Sequence, residues 1–486
     1  MFKKYALILA AVALLLAVPS PVGAQASAQT WTTSITYYTP SASGGTLQID
    51  FYAEGSDTKI PYTPITLVPH AAGSLYVGGV SGLGTPFKGT AVLSSDVPVI
   101  ATGVHLANND YPRMMYNGFT AAEAATPFYM PTVLKAPAAG GYDSLIAIQN
   151  TESFEITARV RIYAVGATTP TVDKNFDIKA QSNVLLGGAS NLGSLNLPAG
   201  FSGSMVVTAT KKGDAITPGK VVVNSQEISN NARGAYAFEG LAAGANTVYM
   251  GTMLYQAGTG RYTTYYAIQN ADPAMAATAN VTVTFYNTAG AQVGTYSTTI
   301  GPGGKQSVYP SLGGVPTGTS GSAVIESTGA PVIAIGKVQG TPFNGMATAF
   351  VGANAGATKI AAPYIRFNDI DPAATNGWQS YIAIMNVGDG DATNIQVKYY
   401  EGAAGTLKAT HSIATATNPL PKFIKRNSDP KTAGALTSGL FGQSGGSIEI
   451  SSDQPLVVVV RVQRVVNLDG GATTIFAEDY NGLAIP

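Results

Sequence analysis

The chain contains no cysteine. That removes disulfides and lipid attachment through a thiol, so every domain must hold together by burial alone. Charge is scarce as well: Asp, Glu, Lys and Arg make up 11% of the residues, and 27 basic side chains balance 27 acidic ones. Soluble domains usually carry ~25%. A neutral, weakly charged surface excludes nucleic acid as a partner, because that binding needs a basic face. It also excludes electrostatic attachment to a membrane. Only three histidines and two tryptophans occur. Past the N-terminus there is no apolar run of bilayer length; the most apolar later one, 456–460, has the length of a strand.

What is present begins with an export signal. Lys3 and Lys4 precede an apolar run at 6–18, Pro19 and Pro21 break it, and small residues follow at Ala24 and Ala26. This is the pattern of a cleaved signal peptide, 1–26, with cleavage after Ala24 or Ala26. The mature chain is then expected outside the cell or on its surface, with no transmembrane segment.

Four blocks of nine residues align without gaps: WTTSITYYT from Trp31, YDSLIAIQN from Tyr142, YTTYYAIQN from Tyr262 and WQSYIAIMN from Trp378, spaced 111, 120 and 116 residues apart. Apolar residues at positions five and seven of each block predict a strand with one buried face. A second strand follows in every copy with cleaner alternation. Leu47, Ile49 and Phe51 oppose Gln48, Asp50 and Tyr52; Val281, Val283 and Phe285 oppose Thr282, Thr284 and Tyr286. Such a stretch suits an antiparallel sheet that is wet on one side. About 60 residues after each aromatic comes a Gly followed by Ser or Thr (Gly89-Thr90, Gly203-Ser204, Gly321-Ser322, Gly446-Ser447), then a strand, a turn with Pro98, Pro218, Pro331 or Pro455, and another strand. Each copy ends in a strand rich in Ala, Tyr and Phe.

These signals predict an all-β protein of four tandem immunoglobulin-like β-sandwich domains: 27–125, 126–244, 245–356 and 357–486. A β-propeller is the runner-up, but its blades are ~40 to 50 residues long. A further strand precedes copies two to four, at 128–135, 248–255 and 360–367. The same offset before Trp31 falls at Ala17, inside the export signal. Domain one is therefore expected to lack its first strand. A strand of this kind buries three or four apolar side chains, worth on the order of 5 to 10 kcal/mol at ~1.5 to 3 each. Either residues 25–30 or a loop cover the seam, or a neighbouring molecule adds a strand there.

Candidate chemistry is thin. His70, His105 and His411 have no partner at metal-ligand spacing. Gly442-Gln443-Ser444-Gly445-Gly446 matches the nucleophile-elbow pattern, but as a Gly-rich loop leading into a strand rather than between strand and helix. Gly301-Pro302-Gly303-Gly304-Lys305 lacks the spacing of a phosphate loop. No catalytic or cofactor-binding residue is expected, and an enzyme is not. Asp369, Asp371 and Asn376 form a candidate Ca²⁺ site if backbone carbonyls and water complete it; Asp389 and Asp391 form a second cluster at the opposite end of the strand. Tyr52, Tyr163, Tyr286 and Tyr400 share one outward position in all four copies. They are candidate binding residues, as a stacking platform for sugars or a contact with a neighbouring sheet; each could equally cover a sheet edge.

The tandem pattern resembles the cysteine-free, immunoglobulin-like surface proteins that bacteria export, of S-layer and adhesin type. The resemblance implies cell-surface structure, adhesion or filament formation, with self-association or other cell-surface components as partners. A carbohydrate-binding module array, with glycans as ligands, is the alternative.

Overall fold

The computed structural model describes residues 30–107, 112–136, 141–187, 195–229, 234–258, 260–340, 346–367, 377–433, 445–467 and 473–486. Within them the chain is almost entirely antiparallel β-structure, with two short 3₁₀ turns and no α-helix. The alternating stretches form the expected strands. Leu47, Ile49, Phe51, Val281, Val283 and Phe285 are all at or below 1% exposure, while Gln48, Asp50 and Thr282 face outward. One face of each strand is thus greasy enough to drive burial, and the other stays wet.

Copy two shows the arrangement in full. One sheet runs in the order Asn183–Leu186, Tyr142–Asn150, Val221–Ser229, Ala235–Glu239; the other runs Val172–Ile178, Ile156–Ala164, Ser202–Lys211, Phe128–Leu134. Their inner faces share one apolar cluster that includes Ile146, Ile148, Val160, Ile162, Val207 and Val223. Copy three repeats both orders, from Thr247–Tyr255 to Ala347–Val351. The result is a sandwich, but its order departs from the immunoglobulin one. There the first strand lies beside the second and the seventh beside the sixth. Here the first strand, Phe128–Leu134, pairs with the sixth, Ser202–Lys211, and the seventh, Val221–Ser229, pairs with the second. The first, fourth and seventh strands thus lie in the opposite sheet around the retained second–fifth and third–sixth pairs, and an eighth strand, Ala235–Glu239, follows beside the seventh.

Copy four fuses its sixth and seventh strands. Gly446–Asn467 is one continuous strand, and the expected turn at Pro455 is absent. Its first half pairs with Ile395–Glu401 and Ala357–Ile365, its second with Trp378–Asn386 and Thr473–Asn481. Proline still marks the point where the chain passes from one sheet to the other; it does so without a reversal. Copy one has the first sheet complete. In its second sheet Gly45–Ala53 is flanked by Gly89–Ser95 on one side and by two short strands, Lys59–Pro61 and Ile65–Leu67, on the other. Among the described residues no strand pairs with the outer edge of Gly89–Ser95.

The copies do not trail away as a string. Their last strands, Arg113–Asn117, Ala235–Glu239, Ala347–Val351 and Thr473–Asn481, stand beside one another so that each touches two of the others, the fourth meeting the first. The packing repeats. Ala235 and Ala237 sit against Met114 and Tyr116; Ala347 and Ala349 against Tyr236 and Phe238; Ala477 and Val459 join the cluster of Phe350; Met115 and Val104 join that of Tyr480. Each copy presents the same patch to the one before it. A heterologous contact of this kind either runs on as a filament or closes. Here it closes, within one chain.

Candidate functional site

The repeated polar and aromatic residues converge on the four seams of this ring. The Gly-Ser/Thr motif is the clearest case. The Thr90 hydroxyl donates to the Gln181 carbonyl (3.2 Å), that of Ser204 to the Gly303 carbonyl (2.6 Å), and that of Ser322 to the Phe423 carbonyl, each reaching the next copy. The accepting residues are register equivalents, and all adopt the left-handed conformation, with φ of 58°, 67° and 66°. His70, their counterpart in copy one, has φ 54°. A left-handed turn aims the carbonyl at the preceding copy, which offsets a conformation unfavourable for non-glycine residues. The glycine of the motif has its own cause. A Cβ at Gly89, Gly203 or Gly321 would lie 2.1, 2.2 or 1.7 Å from the carbonyl oxygen of Tyr52, Tyr163 or Tyr286.

Those tyrosines, with Tyr400, are the four singled out by their outward position. The fold does not bring them together; it places one in each copy. Tyr163 and Tyr400 are buried, Tyr52 and Tyr286 half-buried. Tyr163 packs with Ala271 and Ile333 of copy three. Tyr286 lies 5.7 Å from the Phe423 ring of copy four. Tyr400 stacks on His70 of copy one at 5.1 Å, with the rings 9° from parallel. These three outward faces are covered by the next copy in the ring.

Buried ions reinforce the seams. Between copies four and one, Arg113 grips Glu478 through Nε and Nη2 at 2.7 and 2.8 Å, with Tyr364 on Nη2 at 3.0 Å and the Trp378 ring 4.5 Å away. Glu449 of copy four accepts from Tyr38 (2.7 Å) and Tyr400 and lies 3.1 Å from His70 Nδ1. Between copies two and three, Lys337 meets Glu227 and donates to Thr132 (3.0 Å); both ionic side chains are at or below 1% exposure. Burial brings the Lys337 ammonium down, against the pull of Glu227. Lys305 nearby is lowered to about 7 by burial and by the charge of Lys337. In copy four, Lys425 donates to Thr252 and Ser320 of copy three, both at 3.2 Å, and is brought to about 7 by burial and by Arg461.

At one end of the inner strands, four equivalent residues interlock. Asn117 N–H donates to Glu239, Asn117 Nδ2 to the Asn481 carbonyl (3.0 Å), and Asn481 Nδ2 to the Val351 carbonyl (2.8 Å). Desolvation raises the Glu239 carboxyl to about 7.

The histidines stay apart. His105 is buried against Tyr116 and within 2.9 Å of Thr33 Oγ1, and burial lowers it to about 4. His411 contacts Ser428 at 2.8 Å. Among the described residues no group of three or more His, Asp or Glu is placed to hold a metal ion. Asp369, Asp371 and Asn376, the candidate Ca²⁺ ligands, lie outside the described residues, as do Gly442, Gln443 and Ser444. Asp389 is fully exposed and pairs with Lys422 at 3.1 Å. Two open clefts stand out. One of ≈ 370 Å³ lies on the seam of copies four and one, among Pro40, Pro98, Lys359, Glu449 and Pro486; one of ≈ 380 Å³ lies in copy one, among Glu54, Ile60, Pro86, Phe87 and Lys88.

Sequence reasoning did not find the ionic seam residues. The available signal was a lone charge within an otherwise apolar strand, such as Lys337 in VIAIGKVQ or Glu478 in TTIFAEDYN. No known family model matches the chain, and no curated protein does.

Proposed function

We propose that the mature chain is an extracellular structural or adhesive protein of a bacterial surface. In this reading four tandem β-sandwich domains, released from a signal peptide, form one ring-shaped building block of a lattice or filament. The observation that carries it is the set of four register-equivalent seams. In three of the four copies the recurring Gly-Ser/Thr motif and the recurring tyrosine are spent on fastening one copy to the next. What they build is a closed body with no net charge, whose exposed strand positions include Thr295, Ser297 and Thr299 beside ion pairs such as Arg159–Asp173. Such a surface resists self-association weakly, which suits a subunit that packs against copies of itself.

The reading is tested by fractionating the source cells and imaging the cell surface and the purified mature protein by electron microscopy. Surface location with sheets or fibres is expected. A protein that stays inside the cell, or one that remains dispersed at high concentration and selects sugars on a glycan array, would replace this reading, the second outcome with carbohydrate recognition.

A further inference from the structure

The second sheet of copy one carries an unfilled place beside Gly89–Ser95. In the other copies the equivalent strand is covered by the first strand of its own copy: Ser202–Lys211 pairs with Phe128–Leu134, Thr319–Thr328 with Thr247–Tyr255, and the first half of Gly446–Asn467 with Ala357–Ile365. The covered residues are sealed. Met205, Val206 and Val207 are at 0% exposure, and Ala323, Val324 and Ile325 at 0 to 3%. Their equivalents in copy one, Ala91, Val92 and Leu93, are only half-buried.

A second observation points to the same place. Lys425 of copy four reaches Thr252, a residue on the first strand of copy three. Asn183 holds the position of Lys425 in copy two, as the partner of the eighth residue of the aligned block. The copy it faces is copy one, and both polar atoms of its side chain are buried without a hydrogen bond. A buried amide left this way is costly. It sits where a first strand of copy one would supply the partner.

We propose that this edge is an acceptor for an extended segment of a different polypeptide, which adds a strand antiparallel to Gly89–Ser95. The three strands that fill the equivalent places define its chemistry. They read FYMPTVL, TVYMGTMLY and ATKIAAPYI: apolar on the inward side, uncharged through the centre, and with a Pro or Gly within the strand. Main-chain hydrogen bonds give such a pairing its affinity and alternate side chains its selectivity. The inference rests on the export reading. After cleavage at Ala24 or Ala26, only four to six residues precede Trp31, whereas seven separate Phe128–Leu134 from Tyr142. The mature chain is too short to fold back and fill the place itself.

The test is hydrogen exchange of the full mature protein, with and without a synthetic peptide of sequence FYMPTVLK and its scrambled form as control. Intact mass first establishes that residues 1–24 or 1–26 are gone; a retained leader overturns the export reading by itself. Amides of 89–95 are expected to exchange at least about tenfold faster than those of 203–207, and to become protected with the peptide but not with its scramble. A variant carrying residues 128–141 directly ahead of Trp31 should protect the edge in cis, raise the melting temperature and lose peptide binding. Full protection of 89–95 in the isolated mature protein, or no response to the peptide, would overturn the proposal. Protection that grows with protein concentration alone would also overturn it, by assigning the strand to a second copy.

Discussion

At the scale of single residues, the seams put charge where water does not reach, and this sets how stability responds to pH. Lys305 and Lys425 titrate near 7 in the folded chain against about 10.5 in the open one. Between those values the unfolded chain holds the extra protons, so stability rises with pH. Glu239 moves the other way: its carboxyl titrates near 7 folded against about 4.5 unfolded. Between those values the folded chain holds the proton, so stability falls as pH rises. His105, brought to about 4 by burial against an ordinary value of 6.5, opposes that fall over most of the same range. Thermal melts from pH 5 to 10 should therefore change little up to about pH 6.5 and rise above 7. Lys425→Met should remove part of the rise on the alkaline side, and Glu239→Gln should uncover a rise on the acid side. The Arg113–Glu478 pair behaves differently, since each partner answers the other. Glu478→Ala leaves a buried guanidinium uncompensated and is expected to cost about 3–5 kcal/mol in urea unfolding. Replacing both partners by leucine should recover most of that loss, because a matched apolar pair removes two desolvation penalties at once.

At the scale of strands and turns, backbone contact decides which glycines are replaceable. Gly321→Ala would drive a methyl group into the Tyr286 carbonyl, and a destabilisation of about 1–3 kcal/mol is expected from the forced shift. Gly84 has open space around its would-be Cβ, so Gly84→Ala should stay within about 0.5 kcal/mol of the parent. The pair is read by the same melting experiment. The alternating strands, the Gly-Ser/Thr motif and the shared tyrosines were legible in the sequence because periodicity and repetition are local properties. Which sheet takes the first and seventh strands was not. Both orders bury the same faces of the same strands, and the choice lies in the path of the chain between sheets. Nor was the straight run through Pro455 legible. A proline at a strand junction fits a turn as well as a passage from one sheet to the next, and only the pairing of Leu456 with both Asn386 and Ala357 distinguishes them. The tyrosines at 52, 163, 286 and 400 looked equivalent and outward, as they are. That outward means toward the next copy follows from closure, which no single copy encodes.

At the scale of the molecule, closure couples seams that are far apart in sequence. Copies one and four meet through Tyr38, His70, Arg113 and Asn117 on one side and Glu449, Glu478 and Asn481 on the other. Three seams join copies that are also linked covalently; this fourth one holds by contact alone and is the place where the ring can open. A compact chain of the mature length has a radius of gyration of about 23 Å, and four such units strung in a line roughly 40 Å. Small-angle scattering of the mature protein is expected near the lower value. The double variant Glu449→Ala and Glu478→Ala strips the partners of Tyr38, His70 and Arg113 together, and should move the radius toward the upper value while the strand signal in circular dichroism persists. Lys212→Ala, which removes only exposed ion pairs to Glu155 and Asp177, should change neither, because solvent screens such pairs. An opened ring also bares the two surfaces of that seam on one chain, around Arg113 and Met115 at one end and Tyr480 at the other. The two substitutions strip the contact between chains as they strip it within one, so the opened variant should not associate head to tail through this seam, and its mass by light scattering should not rise with concentration by that route.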